Sequence, residues 1–166
     1  MCWRENGENN GLELIPSVQS NIRFYAVQVS GHQIFQLKVV ESKECFIMTL
    51  TDGIFIPQVR TERSKNVDWP SLCLFSERYV FSIGGLQKGV FSNAATKYIE
   101  RHDLATNMWE AMPSLNMARY RASSCILNQT LYVFVGLGDY GSFINTVEKM
   151  DLSGSDAGKS SRWELF

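Results

Sequence analysis

Tyr79-Val80-Phe81-Ser82-Ile83-Gly84-Gly85, then Glu100-Arg101-His102-Asp103, then Trp109: this run decides the fold of the 166-residue chain. A short apolar run that stops at paired glycines reads as a strand with a tight exit, because glycine reaches positive φ at little steric cost. The same order of residues returns downstream. At an offset of 52, Ser71-Leu72-Cys73-Leu74-Phe75 meets Ser123-Ser124-Cys125-Ile126-Leu127, and Val80-Phe81-Ser82-Ile83-Gly84 meets Tyr132-Val133-Phe134-Val135-Gly136. The offset falls to 48 where Glu100, His102 and Asp103 meet Glu148, Met150 and Asp151, and rises to 54 where Trp109 meets Trp163. These changes fall in loops.

A unit of about 50 residues with four short strands and one late Trp is the signature of a propeller blade. Such a sheet cannot bury both of its faces alone, so units stack. The Trp of each unit is expected to plug the gap to its neighbour. Upstream, Ile22–Val29, Gln33–Val40, Cys45–Leu50 and Ile54–Val59 are strand-like runs. Turn signals at Ser30-Gly31-His32 and Thr51-Asp52-Gly53 separate them. Pro57 sends the last run to an edge, since proline cannot donate to a ladder. No double glycine is present there, so the unit is a degenerate one. Thr61–Asp68 is a charged connector. Asn6-Gly7-Glu8-Asn9-Asn10-Gly11 is rich in turn residues and reads as part of a loose tail. No segment longer than ten residues holds a helical apolar stripe. The chain is therefore expected to be all-β, divided into a tail (1–21), a degenerate blade (22–69) and two clear blades (70–117 and 118–166).

These residues resemble the kelch repeat, whose pattern is an apolar strand ending in Gly-Gly, then Glu-x-Tyr-Asp, then a Trp. His102 stands in the usual Tyr position. In the next copy Leu137 is read in place of the second glycine, and Met150 in place of the Tyr. Met112-Pro113-Ser114-Leu115-Asn116-Met117-Ala118-Arg119 is similar to the family's connection between blades. The resemblance covers residues 70–166 and implies a partial kelch-type β-propeller of four-stranded antiparallel blades. Three blades are fewer than the four to eight that close a ring. The chain is thus expected to be part of a larger ring, to self-associate, or to leave a sheet face open.

Charge and composition exclude other classes. Lys and Arg number 16 against 17 Asp and Glu, so no excess of positive charge points to nucleic acid. No uncharged apolar stretch is long enough for a membrane span. The polar start MCWRENGENNGLELIP lacks the apolar core of a signal peptide, which predicts a cytoplasmic protein with Cys2, Cys45, Cys73 and Cys125 as thiols. No Cys-x-x-Cys is present and His32 and His102 are far apart, so neither a metal nor another cofactor is expected. Cys73 and Cys125 share a repeat position and read as small buried residues.

Two glycine motifs need weighing. Gly136-Leu137-Gly138-Asp139-Tyr140-Gly141 matches the dinucleotide fingerprint, which requires a following helix. The strand exit explains it better. Ser153-Gly154-Ser155-Asp156-Ala157-Gly158-Lys159-Ser160 has Ser where a phosphate loop has its first glycine, and reads as a solvated insertion. Binding is expected on loops carried by the rigid sheets. In kelch adaptors the second Arg of an Arg-x-Arg segment contacts peptides; by resemblance that role falls to Arg121, with Tyr120 beside it. Ser92 and Asn93, with Gln87, Lys88 and Phe91, belong to one neighbouring loop, and Tyr140, with Asp139 and Phe143, to another. Arg119 is expected to be structural. The expected function is a non-enzymatic protein-interaction scaffold with a protein partner. A ubiquitin-ligase adaptor is a narrower version of it. A galactose-oxidase-like enzyme fragment is the alternative from another class, but that chemistry needs paired Tyr and His ligands.

Overall fold

The computed structural model describes residues 61–89 and 92–166 throughout, and before residue 61 the backbone of the strands. The strands in chain order are β1 (Cys2–Asn6), β2 (Gly11–Ile15), β3 (Arg23–Ser30), β4 (Gln33–Val39), β5 (Glu44–Thr51), β6 (Ile54–Glu62), β7 (Val67–Asp68), β8 (Ser71–Phe75) and β9 (Tyr79–Ile83). Then come β10 (Leu86–Gln87), β11 (Ala94–Ala95), β12 (Ile99–Asp103), β13 (Met108–Ala111), β14 (Ser123–Leu127), β15 (Thr130–Phe134), β16 (Val147–Asp151) and β17 (Glu164–Leu165). The one helical element among the described residues is a 3-10 turn at Asp139–Gly141. None of them forms a helix long and apolar enough to cross a membrane. The expected turn residues 31–32 and 52–53, with His32, and loop residue Phe91 lie outside the described residues.

Three antiparallel sheets have four strands each, in the orders β3-β4-β5-β6, β8-β9-β12-β13 and β14-β15-β16-β17. Pro57 lies on β6, which is an edge strand, and the ladder slips there: Ile47 pairs with Val59 but Met48 with Pro57. The bulge accommodates a residue with no N–H to donate. Residues 1–21 are not the loose tail expected. β1 and β2 pair from Cys2↔Ile15 to Asn6↔Gly11, so the turn-rich stretch joins two strands. Strands of five residues carry too few alternations to stand out from polar sequence.

The two best-defined sheets differ by one residue in their first hairpin, and this corrects the sequence register. β8 and β9 close at Phe75↔Tyr79 around three turn residues, whereas β14 and β15 close at Leu127↔Thr130 around two. Asn128 and Gln129 both have positive φ, 48° and 59°, as a two-residue type I′ turn requires. The second strands therefore match at an offset of 51, not 52. Backbone angles agree: Gly84 and Gly85 (φ 60° and 117°) correspond to Val135 and Gly136 (φ 53° and 112°). The glycine pair is thus replaced at its first position by Val135, and Leu137 lies beyond it. Side chains alternate across a strand, so the change reverses which face each residue occupies.

With that register, one face of the β8–β13 sheet packs on one face of the β14–β17 sheet. The shared core joins Cys73, Phe81, Ile83 and Ile99 to Leu131, Val133, Met150, Leu152 and Trp163, with Met112 and Leu115 of the connection. Trp163 is 7% exposed and its Nε1 donates to the Pro113 carbonyl at 2.9 Å. Removing about 200 Å² of indole from water contributes up to ~5 kcal/mol before entropy is subtracted. Trp109 is half-buried on the opposite face of its own sheet, its ring 5.0 Å from that of His102. The first strands run side by side, β8 lying between β3 and β14.

Candidate functional site

Both sheets send their long connections to one end. Ser71, Ile83 and Ile99 form that end of β8, β9 and β12, and Ser123, Phe134 and Val147 that end of β14, β15 and β16. The segment 118–122 crosses between the sheets here and is held from both sides. Gly85 N–H donates to the Arg119 carbonyl at 2.9 Å, and Tyr120 and Leu137 exchange two backbone bonds of 2.8 Å. Arg121 N–H donates to the Trp69 carbonyl at 3.1 Å. The approach is so close that a Cβ on Gly84 would lie 2.4 Å from the Arg119 oxygen, which makes glycine necessary there.

Arg119 is the anchor beneath this crossing. Its guanidinium is fully buried and donates to the carbonyls of Val135 (2.9 Å) and Thr146 (3.0 Å) and to Glu148 Oε1 (2.8 Å). The equally buried Glu148 carboxylate also accepts from the backbone N–H groups of Asn116 (2.6 Å) and Met117 (3.1 Å). Buried charges need such complete pairing to be tolerated. Glu100 accepts in a related way from Ser64 N and Oγ, at 3.0 and 2.6 Å.

Above the anchor, the Trp69 and Tyr120 rings stack with centroids 5.6 Å apart and planes 23° apart. The Arg121 guanidinium lies 3.9 Å over the Trp69 ring. Arg121 is exposed, and its side chain has no ion-pair or hydrogen-bond partner among the described residues. Trp69 and Arg121 hold the same offset of 52 and the same φ of 52°, a conformation that is uncommon away from glycine. Trp69 is the site residue that sequence reading missed. The available signal was its alignment with Arg121 immediately before a first strand.

The structure brings Tyr120 and Arg121 together. Asp139 accepts from Ala95 N–H at 2.8 Å, which ties the loop of Ser92 and Asn93 to that of Tyr140. Ser92, Asn93, Tyr140 and Phe143 are exposed on those two loops, with no contact to the Trp69 stack among the described residues. Gly136–Gly141 is followed by extended Ser142, not by a helix, so it forms a strand exit and loop. Of the two cysteines expected to be buried, Cys73 is, and burial pushes its thiol pKa up; Cys125 is exposed. The difference arises because its sheet face is uncovered. The segment 153–160 is not simply solvated: Arg101 Nη1 donates to the Asp156 and Ala157 carbonyls, and Lys159 pairs with Glu110. His102 is fully buried with Nε2 3.1 Å from Asn107 Oδ1, and burial lowers its pKa. No three His, Cys, Asp or Glu side chains converge as a metal site among the described residues.

No protein-family model and no curated protein matches this sequence. Among solved structures, the fold is similar to that of YjhT. The TM-score is 0.64 at 12% identity, over 86% of this chain and 44% of the YjhT chain. The likeness is one of fold, and this chain spans less than half the length of that structure.

Proposed function

We propose that this chain is a segment of a kelch-type propeller that acts as a non-enzymatic protein-interaction scaffold, binding its partner at the loop end around Arg121. The carrying observation is that Arg121 is exposed, stacked on Trp69, and without an acidic partner among the described residues. A guanidinium held by a ring offers its fork of donors to a carboxylate. Arg and aromatic residues at such a position are favoured hot-spot types. The expected ligand is a peptide loop that carries Asp or Glu. The indole at the seam, the paired positive-φ residues after the second strand and the likeness to YjhT support the architectural part of the reading.

The test is selection of binders from a library of acidic peptides, followed by titration of wild type, Arg121→Ala and Arg121→Lys. Arg121→Ala should weaken binding at least about tenfold with an unchanged melting temperature. Arg121→Lys should recover only part of it, because the ammonium lacks the planar fork. Equal binding by all three, or unfolding of Arg121→Ala, would refute the assignment.

A further inference from the structure

The two best-defined sheets are buried differently. In β9 and β12 both alternating sets are covered: Val80 and Ser82 on one face, Phe81, Ile83, Ile99 and Arg101 on the other. In β15 and β16 burial alternates. Leu131, Val133, Glu148 and Met150 are buried, while Tyr132, Phe134, Val147 and Lys149 are half-exposed. By the corrected register these four occupy the positions of Phe81, Ile83, Ile99 and Arg101. The outer face of the last sheet therefore repeats a face that is a seam one unit earlier, and nothing lies on it. Leu127 and Phe166 on the same face are 60% and 79% exposed.

The polar features repeat as well. At the filled seam, Arg101 pairs with Glu110 at 2.6 Å, and both receive the next unit's loop: Arg101 bonds two of its carbonyls and Glu110 its Lys159. On the outer face Lys149 and Glu164 stand in those places, 3.6 Å apart and more exposed. They flank an open depression with Thr130, Tyr132 and Asp151. A loop presenting carbonyl oxygens and a cation would fill it as 153–160 fills the first.

We propose that a second copy of this chain covers this face, docked by the β3–β6 sheet at the other end of its own stack. The inference rests on the reading of the sheets as propeller units. Applied by twofold symmetry, two three-sheet stacks make six sheets, within the about four to eight that close a ring. The match to 44% of YjhT leaves room in that fold for a second stack of the same size.

Cys125 sits on the outer face, is exposed and provides a built-in probe. Sedimentation of the 166-residue chain should show a concentration-dependent mass of twice 18.9 kDa. Maleimide labelling of Cys125, read by peptide mass, should slow at least about tenfold above the dissociation constant as the seam excludes solvent. Phe134→Glu should raise that constant at least about tenfold by burying a charge. Lys149→Glu, a rim change, is a second variant should Phe134→Glu misfold. Monomeric wild type at all concentrations would overturn the proposal, as would a dimer whose Cys125 labels at the monomer rate, a mass above two copies, or a Cys125–Cys125 crosslink. A monomer that still binds peptide through Arg121 would sink the dimer and leave the proposed function standing. An intact dimer in which Arg121→Ala binds peptide normally would do the reverse.

Discussion

Removing the Glu148 carboxylate tests the anchor under the crossing segment. In Glu148→Ala the Arg119 guanidinium keeps its bonds to the Val135 and Thr146 carbonyls but loses its counter-charge at zero exposure. The N–H groups of Asn116 and Met117 lose their acceptor. Breaking a buried ion pair by deleting one partner costs about 3–5 kcal/mol, and each orphaned buried N–H about 1–3. These overlap, because one vacated space admits water to all of them, so about 4 kcal/mol is expected. At ~2–4 °C per kcal/mol for a chain of this size, the melting temperature should fall by about 8–16 °C. Arg119→Ala should cost a comparable amount, since it leaves the carboxylate buried. The double variant removes both charges and should cost about 2–3 kcal/mol less than the sum of the singles. Urea unfolding followed by Trp fluorescence measures all three. Additivity within about 0.5 kcal/mol, or a Glu148→Ala loss under about 1 kcal/mol, would show that the pair does not hold the crossing.

Trp163→Ala should cost about 3–5 kcal/mol in the same assay, while the half-buried Trp109→Ala loses less, about 2 kcal/mol. Val135 carries a β-branched side chain at φ 53° and is 47% exposed, so Val135→Gly should gain up to about 1 kcal/mol despite the entropy of glycine. The reverse exchange, Gly84→Val, meets the Arg119 carbonyl and should cost more than about 2 kcal/mol in a thermal melt. Acid should destabilise in two windows. His102 takes up a proton near 6.5 when unfolded but at lower pH when buried, so stability present above that value falls as pH drops through it, and His102→Phe should flatten this step. Asp103, held at about 2 first by the hydrogen bond from Arg78, contributes above its ordinary 3.8 and is lost on descent to about 2, a loss that Arg78→Ala should abolish in melts against pH.

Several features were legible in the residues alone. Alternating runs between turn residues gave the strands of all three four-stranded sheets, since a half-buried strand writes its period into its side chains. Pro57 marked its edge because it lacks an N–H. Arg119, read as structural, is the buried partner of Glu148. Arg121 and Tyr120 stood out as loop residues of hot-spot type, but Trp69, their stacking partner, lies 51 residues from Tyr120 and met it only in space. The β1–β2 pair escaped because its strands are too short to show a period.

What the sequence determined by itself was local: which segments extend, where they turn, and that a unit recurs. Facing was decided by the tertiary structure. A hairpin shorter by one residue shifts the second strand from an offset of 52 to 51, which no gapless alignment reveals. That single residue turns Leu131 and Val133 toward the neighbouring sheet and leaves Tyr132 and Phe134 outward. Burial is a property of what lies opposite, so Cys73 and Cys125, alike in sequence, end in a core and on a surface.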